Sequence, residues 1–434
     1  MAGCVERSEP SPRPNLHVVS ERLLKIRTQS SRTIGRPPAH TTDLVTATID
    51  LSAIRHNASV LQSLAGSADL MAVVKADAYG HGAIPVTKAC WAEGIRHFAV
   101  ARPAEGIRLR NAGLGGRILV LGAPLPEDLP TYAAHNLDLT VSSPDVAEAV
   151  IAAASSAEAA PFRAHVKVDT GMGRIGLSPD AAPALIRRLA GTPGVTLAGV
   201  WTHFATADDP GSAFARAQRD RFARLLSTLD VSAQHVHAAN TGALLTLDET
   251  TAAADGPLVR TGIALYGMAA TADLATGADL RPALRWTARV THVKTVSAGT
   301  PVSYGATWRA ERPTRIATLG VGYGDGYPRL GSGRAAVRIG GTLRPVVGTI
   351  CMDMCMVDLG PPDGALAQRV DPGDEAVLLG PDGPTAYDVA NWAETIPYEI
   401  CCGISPRVPR RYVPASAPPT AVRTALVAPS AEAR

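Results

Sequence analysis

Met71-Ala-Val-Val-Lys75-Ala-Asp-Ala-Tyr79-Gly-His-Gly82 carries a lysine directly after four apolar residues and then breaks into glycine-punctuated sequence. The apolar part, Leu70–Ala76, reads as a short strand. Seven further runs of the same kind come after it: His97–Arg102, Arg117–Gly122, Leu137–Val141, Ala164–Asp169, Leu197–His203, His235–Asn240 and Leu258–Tyr266. Amphipathic or Ala-rich helical patterns, such as 143–157 and 213–229, lie between many of them. Strands alternating with helices predict parallel pairing. Eight such strands between 44 and 281 fit a (β/α)8 TIM-like barrel better than an open doubly wound sheet.

From about 282 the texture changes. Arg289–Thr295, Arg315–Val321, Ala335–Ile339, Arg344–Val347 and Ala376–Leu379 alternate apolar and polar positions between closely spaced Gly and Pro. That predicts a separate, mainly antiparallel β domain over 282–412. Residues 1–43 are rich in Pro, Ser and Arg, and residues 413–434 in Ala and Pro. Both are expected to be flexible, the first a disordered extension and the second a tail.

The chain has 434 residues, 46% of them hydrophobic and 19% charged, enough to bury a core. Its net charge of +3 excludes polyanion binding driven by bulk charge, so no nucleic-acid partner is expected. No apolar run approaches membrane-spanning length and no signal peptide is evident, so the expectation is no membrane partner and a cytoplasmic location. Six cysteines, with Cys351 and Cys355 separated by three residues and Cys401 beside Cys402, match neither a disulfide scaffold nor a zinc spacing. No metal is expected.

Only five of the 42 basic residues are lysines: Lys25, Lys75, Lys88, Lys167 and Lys294. Lys75 stands at the predicted C-terminal end of the first barrel strand, where barrel active sites lie. Burial there lowers the pKa of an ammonium, as a Schiff-base lysine requires. The alternative is a lysine that snorkels from the strand end to water. Gly80 and Gly82 would let the backbone approach a ligand closely.

Gly171-Met-Gly173-Arg-Ile-Gly176 fits the dinucleotide fingerprint G-x-G-x-x-G. A dinucleotide-binding oxidoreductase would also carry an acidic residue about 20 positions further on. After Asp180 no Asp or Glu occurs until Asp208, which speaks against it.

Val-Val-Lys75-Ala-Asp-Ala-Tyr79-Gly-His-Gly resembles the cofactor-lysine signature of the alanine racemases, which use pyridoxal 5′-phosphate (PLP). Further matches occur in family order: Lys167-Val-Asp-Thr-Gly-Met-Gly-Arg174, Thr202-His203-Phe-Ala-Thr-Ala-Asp208, Ala239-Asn240-Thr241, Val259-Arg260-Thr-Gly262-Ile263, Val302-Ser-Tyr304-Gly-Ala-Thr, Val321-Gly-Tyr323-Gly-Asp-Gly and Ile350-Cys-Met352-Asp353. They span roughly 46–412 and imply a PLP-binding barrel followed by a β domain.

By this resemblance Lys75 holds the PLP aldehyde as a Schiff base and is one catalytic base. Tyr304, reaching in from the other subunit of a homodimer, is the second base on the opposite face. Arg174 binds the substrate carboxylate, and Met352 lies near the substrate. Arg260 faces the pyridine nitrogen, with His203 between it and the catalytic tyrosine. Tyr79, Asn240, Thr241, Gly262, Ile263 and Tyr398 hold the phosphate; the family often has Ser where Thr241 stands. Lys167 matches a position that is often carbamylated. Asp208, Tyr323, Arg329, Asp353 and Ile396 match the family's narrow substrate corridor, with Tyr398 again among its lining positions. The implied activity is interconversion of L- and D-alanine, an isomerase supplying D-alanine for peptidoglycan and the cell wall. A broad-specificity amino-acid racemase or a fold-related PLP decarboxylase remains the alternative. A barrel-only, non-catalytic PLP carrier is disfavoured by the β domain.

Overall fold

The computed structural model describes residues 43–155, 161–247, 257–275 and 277–414. The expected extension up to 42, the tail beyond 414 and the end of the helix expected over 143–157 lie outside the described residues.

Eight strands succeed one another in chain order: β2 (Asp69–Val73), β3 (His97–Val100), β4 (Arg117–Val120), β5 (Leu139–Val141), β6 (Phe162–Lys167), β7 (Val195–Trp201), β8 (His235–His237) and β9 (Leu258–Thr261). A strand β1 (Val45–Asp50) precedes them. β9, β2, β3 and β4 pair in parallel, as do β5 to β8. Parallel bridges Leu119–Asp138 and Val236–Pro257 join the two arcs, so the eight strands close in sequence order into a barrel. All eight runs expected from the sequence become barrel strands, because strands walled by helices are apolar throughout.

The remaining strands are β10 (Leu284–Val296), β11 (Pro301–Val302), β12 (Trp308–Arg309), β13 (Thr314–Leu319), β14 (Ala336–Ile339), β15 (Thr342–Val347), β16 (Cys355–Gly360), β17 (Glu375–Leu379) and β18 (Arg410–Val413). The order β13-β16-β15-β14-β17-β10 is antiparallel, and β10 also pairs with β13, so this sheet closes on itself.

β1 departs from expectation. It lies within the stretch read as barrel, yet it pairs with β10 and with β18 in the second sheet. Its residues alternate buried and half-buried, the mark of a strand covered on one face, unlike the largely buried barrel strands. Asp50 ends β1 and caps the helix Leu51–Ala65 by accepting from Ser52 N at 2.8 Å and Ala53 N at 3.2 Å. The chain therefore crosses from the β sheet into the barrel at one residue. β18 extends to Val413, one residue into the stretch read as tail.

Candidate active site

β2 ends at Val73, and Lys75 stands two residues beyond it, at the C-terminal mouth of the barrel. The chain then enters a left-handed turn. Ala76, Asp77, Ala78 and Tyr79 have φ of 52°, 53°, 57° and 52°. Such conformations cost an L-residue about 1–2 kcal/mol each, so the surroundings must hold them. Glu105 accepts from Ala76 N at 2.6 Å, and its other oxygen accepts from Ala101 N at 2.8 Å. Asp77 accepts from Ala83 N at 2.9 Å and pairs with Arg108. Buried His81 places Nδ1 2.9 Å from Tyr79 O. Its pKa falls to about 4 through burial, so the ring is neutral and Nδ1–H donates.

The glycines of this turn serve packing, which corrects the expectation that they admit a ligand. A Cβ at Gly80 would lie 2.2 Å from Cys401 O, and one at Gly82 2.0 Å from Tyr412 Oη. The backbone here abuts the last helix and strand of the described chain.

Lys75 opens onto a cavity of about 550 Å3 at the barrel mouth. Tyr79, Arg174, His203, Asp208, Asn240, Thr241, Arg260, Gly262, Ile263 and Tyr398, all anticipated from the sequence, line it as well. Arg174 arrives on the loop Gly171–Gly176, which is folded back by Asp169. That carboxylate accepts from Gly171 N and Gly173 N at 2.9 Å each, and Leu177 N bonds Lys167 O at 2.9 Å. The three glycines all have positive φ. They serve this turn, and the next helix begins only at Ala182, so the dinucleotide fingerprint is a coincidence of turn chemistry.

Arg260, on β9, is buried and donates from Nη1 to His237 Nδ1 at 2.8 Å, and from Nη2 to Thr202 O at 2.8 Å and His203 Nδ1 at 3.1 Å. Burial and then Arg174 pull its pKa down to about 9, so it stays charged at neutral pH. Burial, and next Arg260, hold His203 far below the usual imidazole range, so it is neutral. Lys75 is lowered by burial and by Arg174. Lys167 is buried against Trp201, its Nζ 5.1 Å from the ring centre and donating to Val168 O at 2.8 Å; burial and Arg260 bring it down to about 7. Burial raises the pKa of Asp208, the one acidic side chain lining the cavity among the described residues.

Also lining the cavity, Asn240 caps the helix Thr241–Thr246 by accepting from Ala243 N at 2.9 Å. Thr241 Oγ1 accepts from Gly262 N at 3.2 Å. Gly262 leaves a gap that a side chain would fill, since its Cβ would lie 2.4 Å from Tyr79 Oη.

A second group of anticipated residues is not brought to Lys75 within this chain. Tyr304 is 72% exposed, and Tyr323, Met352 and Ile396 are exposed as well. Three loops that carry most of this group are tied together. Thr349 Oγ1 donates to Tyr304 O at 2.9 Å, Tyr323 N to Cys351 O at 3.0 Å, and Arg407 Nη2 to Asp353 Oδ1 at 2.7 Å. Arg329 opens the next short turn after Tyr323.

Sequence reasoning missed Trp201 and Cys402, which also line the cavity. Trp201 stacks on His237 with ring planes 5° apart, and the Arg260 guanidinium lies 4.9 Å from its centre. It sits two residues before His203 in one strand run, so the two-residue period was the available signal. Cys402 stands one helical turn after Tyr398, in Pro397–Gly403.

A closed parallel barrel with a half-sheltered lysine at its mouth, followed by a closed antiparallel sheet, is the architecture of a barrel enzyme with an appended β sheet. Residues 49–270 match the model of the alanine racemase N-terminal domain, and 283–412 that of its C-terminal domain. The alanine racemase of Symbiobacterium thermophilum is 42% identical over 376 residues, 84% of this chain and 96% of its own. That of Halothermothrix orenii is 40% identical, again over 84% of this chain and 96% of its own. The crystal structure of alanine racemase from Streptomyces lavendulae superposes with a TM-score of 0.80 at 40% identity, over 86% of this chain and 98% of its own. The biosynthetic alanine racemase of Pseudomonas aeruginosa gives 0.77 at 36% identity, over 86% and 100%. The chain belongs to the alanine racemase family.

Proposed function

We propose that this chain interconverts L- and D-alanine, with PLP held at Lys75, as a cytoplasmic homodimer that supplies D-alanine for peptidoglycan. The observation that carries this reading is the convergence of Lys75, Arg174 and Arg260 on one cavity that also offers the Thr241 hydroxyl, the Gly262 gap and the Tyr79 and Tyr398 phenols. That donor set fits a flat ring bearing an aldehyde, a basic ring nitrogen and a phosphate. The domain division at 281/282 belongs to the same reading, with β1 counted to the second sheet.

The chemistry PLP would supply when bound is an electron sink for the substrate's α-carbon. The rest falls to the protein. Lys75, unburdened of part of its proton affinity by burial, holds the coenzyme and exchanges a proton on one face. Arg174 grips the substrate carboxylate through paired N–H groups. Arg260 can only donate, so facing the ring nitrogen it would leave that nitrogen unprotonated. That would temper electron withdrawal and suppress transamination. His203 accepts from Arg260 at Nδ1, which leaves Nε2–H for the phenol of Tyr304 of the partner subunit, the base on the opposite face. The exposed loops bearing Tyr304, Tyr323, Met352 and Asp353 support this sharing, because they offer a prepared surface to a second copy. With Arg329, Ile396, Asp208 and Tyr398 they form the substrate corridor of this reading, and Lys167, if carbamylated, braces Arg174.

Purified protein incubated with PLP and separate L-amino acids, followed by chiral chromatography, tests the reading. D-alanine should appear, and borohydride reduction with peptide mapping should mark Lys75. A preparation that retains no yellow absorption band once excess PLP has been removed refutes it.

A further inference from the structure

Inside the barrel a line of polar side chains crosses five consecutive strands, and the proposed chemistry uses only its last member. Asp138 immediately precedes β5, His165 lies on β6, His237 ends β8 and Arg260 lies on β9. None is more than 3% exposed. Arg260 Nη1 lies 2.8 Å from His237 Nδ1, His237 Nε2 2.9 Å from His165 Nδ1, and His165 Nε2 3.4 Å from Asp138 Oδ2. The strand between the two histidines, β7, contributes Gly199, which pairs in register with His165. A Cβ there would lie 2.2 Å from His165 Nδ1. The missing side chain is what lets His165 reach His237.

The proton order along this line is fixed. A guanidinium only donates and a carboxylate only accepts, while a neutral imidazole does one of each. His237 is held neutral by burial and by Arg260. It must therefore accept from Arg260 at Nδ1 and carry its hydrogen on Nε2. His165 must accept that hydrogen at Nδ1 and donate from Nε2 to Asp138.

We propose that Asp138 and His165 are positioning residues for Arg260: the buried carboxylate sets both imidazole tautomers, and the resulting lone pair on His237 Nδ1 orients the guanidinium. This rests on the reading that Arg260 faces the coenzyme nitrogen.

Asp138→Asn tests it. Asp138 Oδ1 is held by Arg117 Nη2 at 3.1 Å and Arg163 Nε at 3.3 Å, so the asparagine oxygen stays with them and its N–H turns to His165. The line then reverses, and His237 Nδ1–H meets an Arg260 N–H, donor against donor. Ring nitrogen-15 spectra of histidine-labelled protein, with and without PLP, read the order directly. The wild type should show a bare Nδ1 and a protonated Nε2 at His237, and the variant the reverse. A displacement of about 1 Å at a positioned group lowers turnover by about 100-fold, so kcat should fall that far with KM for alanine little changed, and pyruvate from half-transamination should rise. His165→Gln, whose amide oxygen accepts from His237, should keep most of the turnover, whereas His165→Leu should lose it. The last pair decides the matter if Asp138→Asn does not fold, because equal losses in both overturn the proposal. So does a protonated Nδ1 at His237 in the wild type, or an Asp138→Asn protein with unchanged spectra and turnover. Failure to bind PLP, with the ring signals as expected, refutes the functional reading and is distinguished from failure of the proton order.

Discussion

Gly262→Ala is a one-methyl change that probes the phosphate side of the cavity. The new Cβ would lie 2.4 Å from Tyr79 Oη and 3.1 Å from its Cζ. Tyr79 is buried, with ring neighbours at 4.9 Å in Tyr266 and 6.1 Å in Tyr398, so it has little room to retreat. Overpacking of this kind costs about 1–3 kcal/mol. The displaced phenol and the added methyl both intrude on the space proposed for the phosphate. At about 1.4 kcal/mol per decade, PLP affinity should fall about 5- to 150-fold. Removing the offending oxygen should undo this. The double variant Gly262→Ala/Tyr79→Phe meets nothing closer than the 3.1 Å ring carbon and should bind PLP as Tyr79→Phe alone does, a coupling of about 1–3 kcal/mol. Gly299→Ala serves as control: nothing lies within 4 Å of its Cβ, although φ is +81°, so it should lower stability by about 1–2 kcal/mol and leave PLP affinity alone. Absorbance titration of PLP into coenzyme-free protein measures affinity, and thermal unfolding measures stability. Gly262→Ala protein that binds PLP like wild type, or a double variant no better than Gly262→Ala, refutes the reasoning.

Three further outcomes are expected. Lys75→Ala and Tyr304→Phe should each cripple racemisation, yet mixing the two after subunit exchange should restore activity at about a quarter of the sites, since half the dimers are hybrids with one intact site each; no restoration would argue against a shared site. Arg260→Glu should raise pyruvate formation relative to racemisation, and an unchanged ratio would contradict the donor-only role of Arg260. Lys167 has a folded pKa of about 7 against 10.5 ordinarily, so between these values the unfolded chain binds the extra proton and stability rises with pH, while below about 7 the full penalty applies. The thermal-stability gap between Lys167→Met and wild type should therefore narrow from about pH 6 to about pH 9, and a gap that widens toward alkaline pH would count against a buried, neutral amine.

The barrel was legible because strands covered on both faces leave continuous apolar runs, and each of the eight runs became a strand. β1 does not stand out in the sequence because its six residues precede a helix just as a barrel strand does; only its partners, β10 and β18, reveal which sheet it serves. Most residues around Lys75 could be named because ordered motifs, matched to a family, assigned them. The left-handed turn at 76–79 could not, since Ala, Asp, Ala and Tyr have no strong preference for it and the Glu105 that pins it lies 29 residues away. The Asp138–His165–His237 line was invisible for a related reason. Each member is a single polar position in its own stretch of chain, and they meet only through the register that closes the barrel.

Why the cavity uses arginine at 260 and lysine at 75 comes down to one environment acting on two different groups. Burial disfavours both charges, and Arg174 adds to the effect on both. The guanidinium starts from 12.5, so even at about 9 it keeps its proton at neutral pH and remains a donor. The ammonium starts lower, at 10.5, and is pushed toward release, which suits the imine-forming and proton-carrying roles proposed for it. A lysine at 260 would drift the same way and gain a lone pair, so the proposed ring nitrogen and His237 Nδ1 would no longer face a permanently charged, donor-only group. The crowding of Lys75, Lys167, Arg174 and Arg260 around so few carboxylates thus separates a labile base from a permanent donor, and it favours anionic groups in the space between them, as the proposed phosphate and substrate carboxylate would be.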